Sequence, residues 1–192
     1  MSDNLRLYTT IVFGLEHVLR QVPSDAWDNP SPCDRWTARQ VAGHAIGVVN
    51  NVAARAGVGE NLDVFGDIGA IAGDDPAESF RPIRTRYLEA MDRPGALQRT
   101  VTSSFGEMSL DRFLGLMAAD TLIHSWDIAR ATGVDERLDP DAVRLVYRDL
   151  QQRDEAVMRA PGRYVTALEP AGGAAASAQD RLLAFTGRDP RH

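Results

Sequence analysis

Lysine is absent from this 192-residue chain, and all 21 basic residues are arginine. That excludes Schiff-base chemistry, a Walker-type phosphate lysine and a kinase-type lysine together. Cysteine is almost absent as well: Cys33 alone cannot make an internal disulfide or a cysteine-only metal site. No apolar run approaches the roughly 20 residues a membrane-spanning helix needs. The N-terminus, M-S-D-N-L-R-L-Y, lacks the basic and apolar regions of a signal peptide, so a cytoplasmic protein is expected. Positive charge is in deficit too. A formal net charge of −6 gives no electrostatic footprint for nucleic acid or an anionic membrane, leaving small molecules as the expected partners. A homodimer is one assembly open to it.

What is present reads as helix. Leu5, Tyr8, Ile11, Val12, Leu15, Val18 and Leu19 recur at helical spacing over 4–21. A proline-rich loop follows and ends at Thr37, an N-cap for a second helix over 38–55. The glycine-punctuated stretch 57–73 is expected to be a long irregular connection. Pro76 opens a third helix to about Met91, and 96–106 favours a short extended segment. Leu110 to Thr132 makes a fourth helix closed by Gly133. A fifth is expected from Asp141 to about Arg159, then a small-residue stretch over 171–178 and one last short helix. One domain over residues 1–192, an all-α bundle, fits this pattern.

The fourth helix carries an anomaly. Asp120 and His124 lie four apart, on the stripe made by Phe113, Met117 and Ile128 that should face the core. On the second helix His44 shares a stripe with Val41, Ala45 and Val48. Bundle cores assemble metal sites from facing helices in this way. Two imidazoles and one carboxylate leave coordination positions open, which is the pattern of a catalytic site. Zinc leads, with nickel and iron also compatible. The alternative is a helix-surface ion pair, or a core histidine satisfied by the neighbouring carboxylate. Asn51, seven residues beyond His44, is expected to line a pocket beside the ligands or to be exposed near the helix end. Asp127 either orients His124 as an acceptor or pairs with Arg130. Cys33 reads as a packed loop residue, with a reactive thiol as the alternative. His17 reads as a surface residue and His192 as terminal tail.

At these residues the chain resembles a known family. S-P-C-D-R-W-T-A-R-Q-V-A-G-H (31–44) and D-T-L-I-H-S-W-D-I-A-R-A-T-G (120–133) are similar to segments of the DinB/YfiT-like metalloproteins. The likeness is closest to the actinobacterial branch related to the metal-binding domain of mycothiol-dependent maleylpyruvate isomerase. F-G-E-M (105–108) and L-L-A-F-T-G-R-D-P (182–190) resemble other recurring pieces of that branch. The resemblance implies a four-helix bundle with long crossover connections and short C-terminal helices. It implies a divalent metal on His44, Asp120 and His124. The isomerase uses a glutamate at the position of Asp120 and carries a further C-terminal domain.

The expectation is therefore a metal-dependent enzyme acting on a small molecule, a transferase or isomerase that uses mycothiol or a similar thiol. Two alternatives stay open. One is a Lewis-acid cyclase, lyase or hydrolase on the same scaffold. The other is a non-catalytic metal- or ligand-binding protein.

Overall fold

Capping chemistry sets where the long helices begin and end. In the computed structural model, which describes all residues except Arg35, Ser104, Phe105, Pro161, Gly162 and His192, helix α1 spans Asp3–Leu19 with Ser2 capping the Leu5 amide. Helix α2 spans Ala38–Arg55 and starts with a capping box in which Thr37 and Gln40 satisfy each other's backbone amides. After the short α3 (Ile68–Ala72), helix α4 (Pro76–Asp92) opens with Asp75 as cap and proline at the first position. A two-stranded antiparallel ribbon, β1 (Thr100–Ser103) with β2 (Gly106–Ser109), leads into α5, Leu110–Thr132. Gly133, at φ +72°, ends α5 in the left-handed conformation that glycine adopts without strain.

The core follows from the apolar stripes. Helix α1 packs on α5, α5 on α2, α2 on α4, and α4 back on α1, a closed ring of four. Helices consecutive in the chain are therefore not always neighbours. The segments that join α1 to α2 and α4 to α5 each carry the chain across the bundle, which gives an all-α four-helix architecture with crossovers. Tyr8, Leu15, Ile46, Phe80, Tyr87, Leu114 and Ile123 are fully buried inside it. Among the described residues no helix is long and apolar enough to cross a membrane.

The chain divides into two compact units, Met1–Arg137 and Leu138–His192. In the second, α6 (Pro140–Leu150) packs on α8 (Ala178–Phe185), with the Tyr147 and Phe185 rings edge to face at 5.6 Å. Between them α7 covers Glu155–Met158.

Two expectations need correction. The 57–73 connection is not wholly irregular, because Asp67 caps the five-residue α3 within it. The expected helix 141–159 breaks after Leu150. Residues 151–154, Q-Q-R-D, offer no apolar side chain to hold a further turn, and Asp154 caps a new start instead. Of the segments singled out by resemblance, Arg35 and Phe105 lie outside the described residues, as does the terminal His192.

Candidate metal centre

Helices α2 and α5 lie side by side, and Cys33 and Trp36 lie over their pairing. Ser31 ties both in place: its hydroxyl accepts the Cys33 amide and donates to the Trp36 carbonyl. Opposite, α3 leans on α2 where α2 has glycines. A Cβ on Gly43 would lie 1.7 Å from the Ile68 carbonyl oxygen, and one on Gly47 would lie 2.8 Å from a Val64 methyl. Only glycine at 43 lets this backbone approach so closely. The approach brings Val64 and Phe65 over His44.

His44 is buried, and its Nδ1 lies 2.8 Å from the Val64 carbonyl oxygen. A carbonyl only accepts, so Nδ1 carries the proton and Nε2 is the nitrogen presented to Asp120. His124 repeats the arrangement: its Nδ1 lies 2.9 Å from Asp127 Oδ2, again leaving Nε2 inward. Both Nε2 atoms approach the same oxygen, Asp120 Oδ1, at 3.5 Å from His44 and 3.7 Å from His124. The three ligand-type atoms lie within 4.8 Å of one another.

The two nitrogen–oxygen separations fit a shared ion. Two donors each roughly 2.1 Å from a tetrahedral ion sit roughly 3.4 Å apart. Direct hydrogen bonds would be shorter, at about 2.9 Å. The donor set, two neutral imidazoles fixed through Nδ1 and one carboxylate, therefore suits a divalent metal with positions to spare. In the metal-free protein, burial alone would push the His44 imidazolium toward losing its proton. The charge and hydrogen bond of Asp120, with the Val64 carbonyl, outweigh burial and raise its pKa.

Trp36 lies against both imidazoles, its ring 5.1 Å from His44 and 6.3 Å from His124. Phe65 faces His44 at 5.5 Å, yet it is 75% exposed, so it forms the rim of the site. Asp120, 31% exposed at its side chain, is the most open of the three ligand-type residues.

The other candidates fall into distinct roles. Asp127 is fully buried and accepts from His124, whereas Arg130 turns to Glu136 and stacks on Trp126. Asn51 holds the connecting loop: its amide donates to the Leu62 carbonyl and accepts the Leu62 amide. His17 is exposed. Cys33 is closer to the site than its sequence context indicates. Its thiol donates to Asp127 Oδ2 at 3.1 Å, with His124 Nδ1 at 3.7 Å. Cys33, His124 and Asp127 form a second cluster of ligand-type atoms. Its shortest separations are hydrogen-bond lengths, so it reads as a network that orients His124. Sequence analysis missed Val64, which acts through a backbone carbonyl that no residue type reveals. It also missed Phe65, whose loop has no periodicity.

Comparison with known proteins identifies the family. Residues 13–129, which include His44, Asp120, His124 and Asp127, match the family model described as the mycothiol maleylpyruvate isomerase N-terminal domain. Two uncharacterised proteins of Mycobacterium tuberculosis, from strains CDC 1551 and H37Rv, are each 28% identical over 174 residues, covering 91% of this chain and 91% of theirs. A crystal structure of a histidine-to-alanine variant of the mycothiol-dependent maleylpyruvate isomerase superposes with a TM-score of 0.48 at 14% identity, over 87% of this chain and 75% of that one.

Proposed function

This chain belongs to the mycothiol maleylpyruvate isomerase N-terminal domain family, and from that premise and the site geometry we propose a divalent-metal-dependent enzyme that uses a thiol such as mycothiol in a transfer or isomerisation of a small molecule. The observation that carries the metal is the convergence of both Nε2 atoms on one Asp120 oxygen at ligand–ligand spacing. His44, Asp120 and His124 would hold the ion, with zinc the best match to the donor set. A divalent ion at that point supplies positive charge, which favours thiolate over thiol near neutral pH.

The rest of the chemistry belongs to the chain's own groups. Val64 and Asp127 fix the two rings so that neither imidazole need reorient to bind. Trp36 shields both imidazoles from one side, which lowers the local dielectric and strengthens the charge interactions there, and Phe65 lies at the rim. The partial exposure of Asp120 leaves an approach for the thiol and a small electrophile.

Elemental analysis of the purified chain, followed by turnover assays with and without mycothiol, tests the reading. One metal per chain and thiol-dependent turnover are expected. Stoichiometric metal in His124→Ala would reject the site. Steady turnover in thiol-free buffer would replace the thiol reading with Lewis-acid chemistry on the same scaffold.

A further inference from the structure

Arg55 is the last residue of α2 and sits on the same face as His44, eleven residues or about 16 Å along the axis. Its guanidinium stacks on the Phe113 ring at 4.8 Å. Phe113 is likewise eleven residues from His124, on the matching face of α5. The α2–α5 pairing thus has the His44–His124 cluster toward one end and the Arg55–Phe113 stack toward the other.

Arg55 is half-buried, and its hydrogen bonds go to neutral groups, the Asn51 carbonyl and Asn61 Oδ1, each at 3.1 Å. Two more guanidiniums meet the turn that follows, and the stem of a third arginine borders it. Arg93 donates to the Gly57 carbonyl at 3.0 Å. The Arg99 guanidinium lies against Gly57, about where a side chain there would reach it. The Arg86 stem borders Gly59 and its guanidinium reaches Asn50 Oδ1 at 3.4 Å. Among the described residues none of these four pairs with a carboxylate, although the chain carries 27 acidic residues against 21 arginines. Glu60, in the same loop, pairs with none of them. Elsewhere the arginines do find acids, as Arg84 does with Glu16 and Arg130 with Glu136.

A cluster of like charges around one glycine turn is repulsive unless an anion joins it, and a half-buried guanidinium lacking a counter-charge is costly. Guanidinium is also the group that matches an oxyanion through paired N–H donors. The geometry points to an anion-binding site at the Gly57 turn, formed by the Arg93 and Arg99 guanidiniums with Arg55 and Arg86 flanking them, that takes a carboxylate or phosphate group of a small ligand. Resting on the function proposed above, the ligand's other end would reach the metal cluster. The substrate or thiol would then be an elongated molecule with an anionic end.

The test is equilibrium dialysis of the full chain, treated with chelator, against inorganic phosphate and, in parallel, succinate at low salt. One saturable site per chain is expected, weakening with added salt. Whichever probe binds more tightly identifies the group. Arg55→Gln should weaken binding by about tenfold or more, the loss of one charge-assisted pair. Arg99→Gln, exposed and outside the core, should weaken it several-fold without altering the melting temperature. Arg144→Gln, whose native partner is Asp141 in the other unit, should bind as the wild type does. The site is rejected if neither probe saturates, or if Arg55→Gln and Arg99→Gln bind like the wild type. It is also rejected if binding appears only when metal is restored, which would place the anion on the ion. Binding that survives chelation and the His124→Ala substitution supports the site even if the metal reading fails.

Discussion

The imidazole rings of His44 and His124 stand 4.9 Å apart at 77°, and each is anchored through Nδ1 to a different acceptor, a loop carbonyl for one and a buried carboxylate for the other. The two Nε2 atoms are thereby aimed at one place before any ligand arrives. Preorganisation of this kind moves the cost of ordering from binding to folding.

The first consequence concerns metal affinity. His124→Ala should abolish stoichiometric binding, and Asp120→Asn should weaken it while keeping the fold. Asp127→Asn acts only through the orientation of His124, and its expected loss is smaller, roughly 10–100-fold. Chelator competition on the three purified variants measures all of these. An Asp127→Asn protein with wild-type affinity would show that the Asp127–His124 bond does not orient the ligand.

Cys33 supplies a graded version of the same test. Its thiol donates to the oxygen that accepts from His124, so Cys33→Ala removes a donor to Asp127. We expect a several-fold loss of metal affinity, partly restored in Cys33→Ser, which keeps a donor. Equal affinity in both variants would leave the thiol outside the network.

Stability should respond to the metal without depending on it. The four-helix ring has its own buried core, so chelation should lower the melting temperature and leave helical circular dichroism at room temperature. Complete unfolding on chelation would make the metal structural.

Gly43 should be intolerant of substitution. The added methyl of Gly43→Ala would meet the Ile68 carbonyl of α3, a backbone group that cannot rotate away. Overpacking of this kind costs roughly 1–3 kcal/mol, or about 3 °C of melting temperature per kcal/mol at this chain length. Because α3 carries the loop that holds Val64 on His44, metal affinity should fall in the same variant. Wild-type stability would show that α3 is readily displaced.

Alkaline stability follows from the missing lysines. With no lysine in the chain, the alkaline response of the core rests on two buried phenols, Tyr8 and Tyr87. Burial pushes the Tyr87 phenol up to about 12, partly offset by its bond with Thr9. Burial raises Tyr8 further still. A folded-state pKa above the unfolded value means this stability is intact below pH 10 and lost as pH rises through the folded pKa. Stability should therefore fall between about pH 10 and 12, and Tyr87→Phe should flatten that decline. Denaturant melts at pH 8, 10 and 11 would show it. A decline as steep in Tyr87→Phe as in wild type would assign it to another group.

Residue periodicity and capping chemistry determined the long helices and placed the three ligand-type residues on core-facing stripes. Thr37 and Gln40 start α2, and Gly133 ends α5, through local bonds that need no tertiary partner. The four-residue spacing of Asp120 and His124 is likewise a property of one helix. Only the tertiary structure decided that His44 meets them, because that depends on α2 and α5 becoming neighbours across a crossover. It also decided the roles of Cys33, Val64 and Phe65. These sit in loops, where no repeat fixes direction, and Val64 acts through its backbone alone. Asp127 had two helix-compatible partners at the same spacing, His124 and Arg130. Burial chose between them: Asp127 points into the interior, where it accepts from the His124 Nδ1 hydrogen and the Cys33 thiol, while Arg130 turns outward to Glu136.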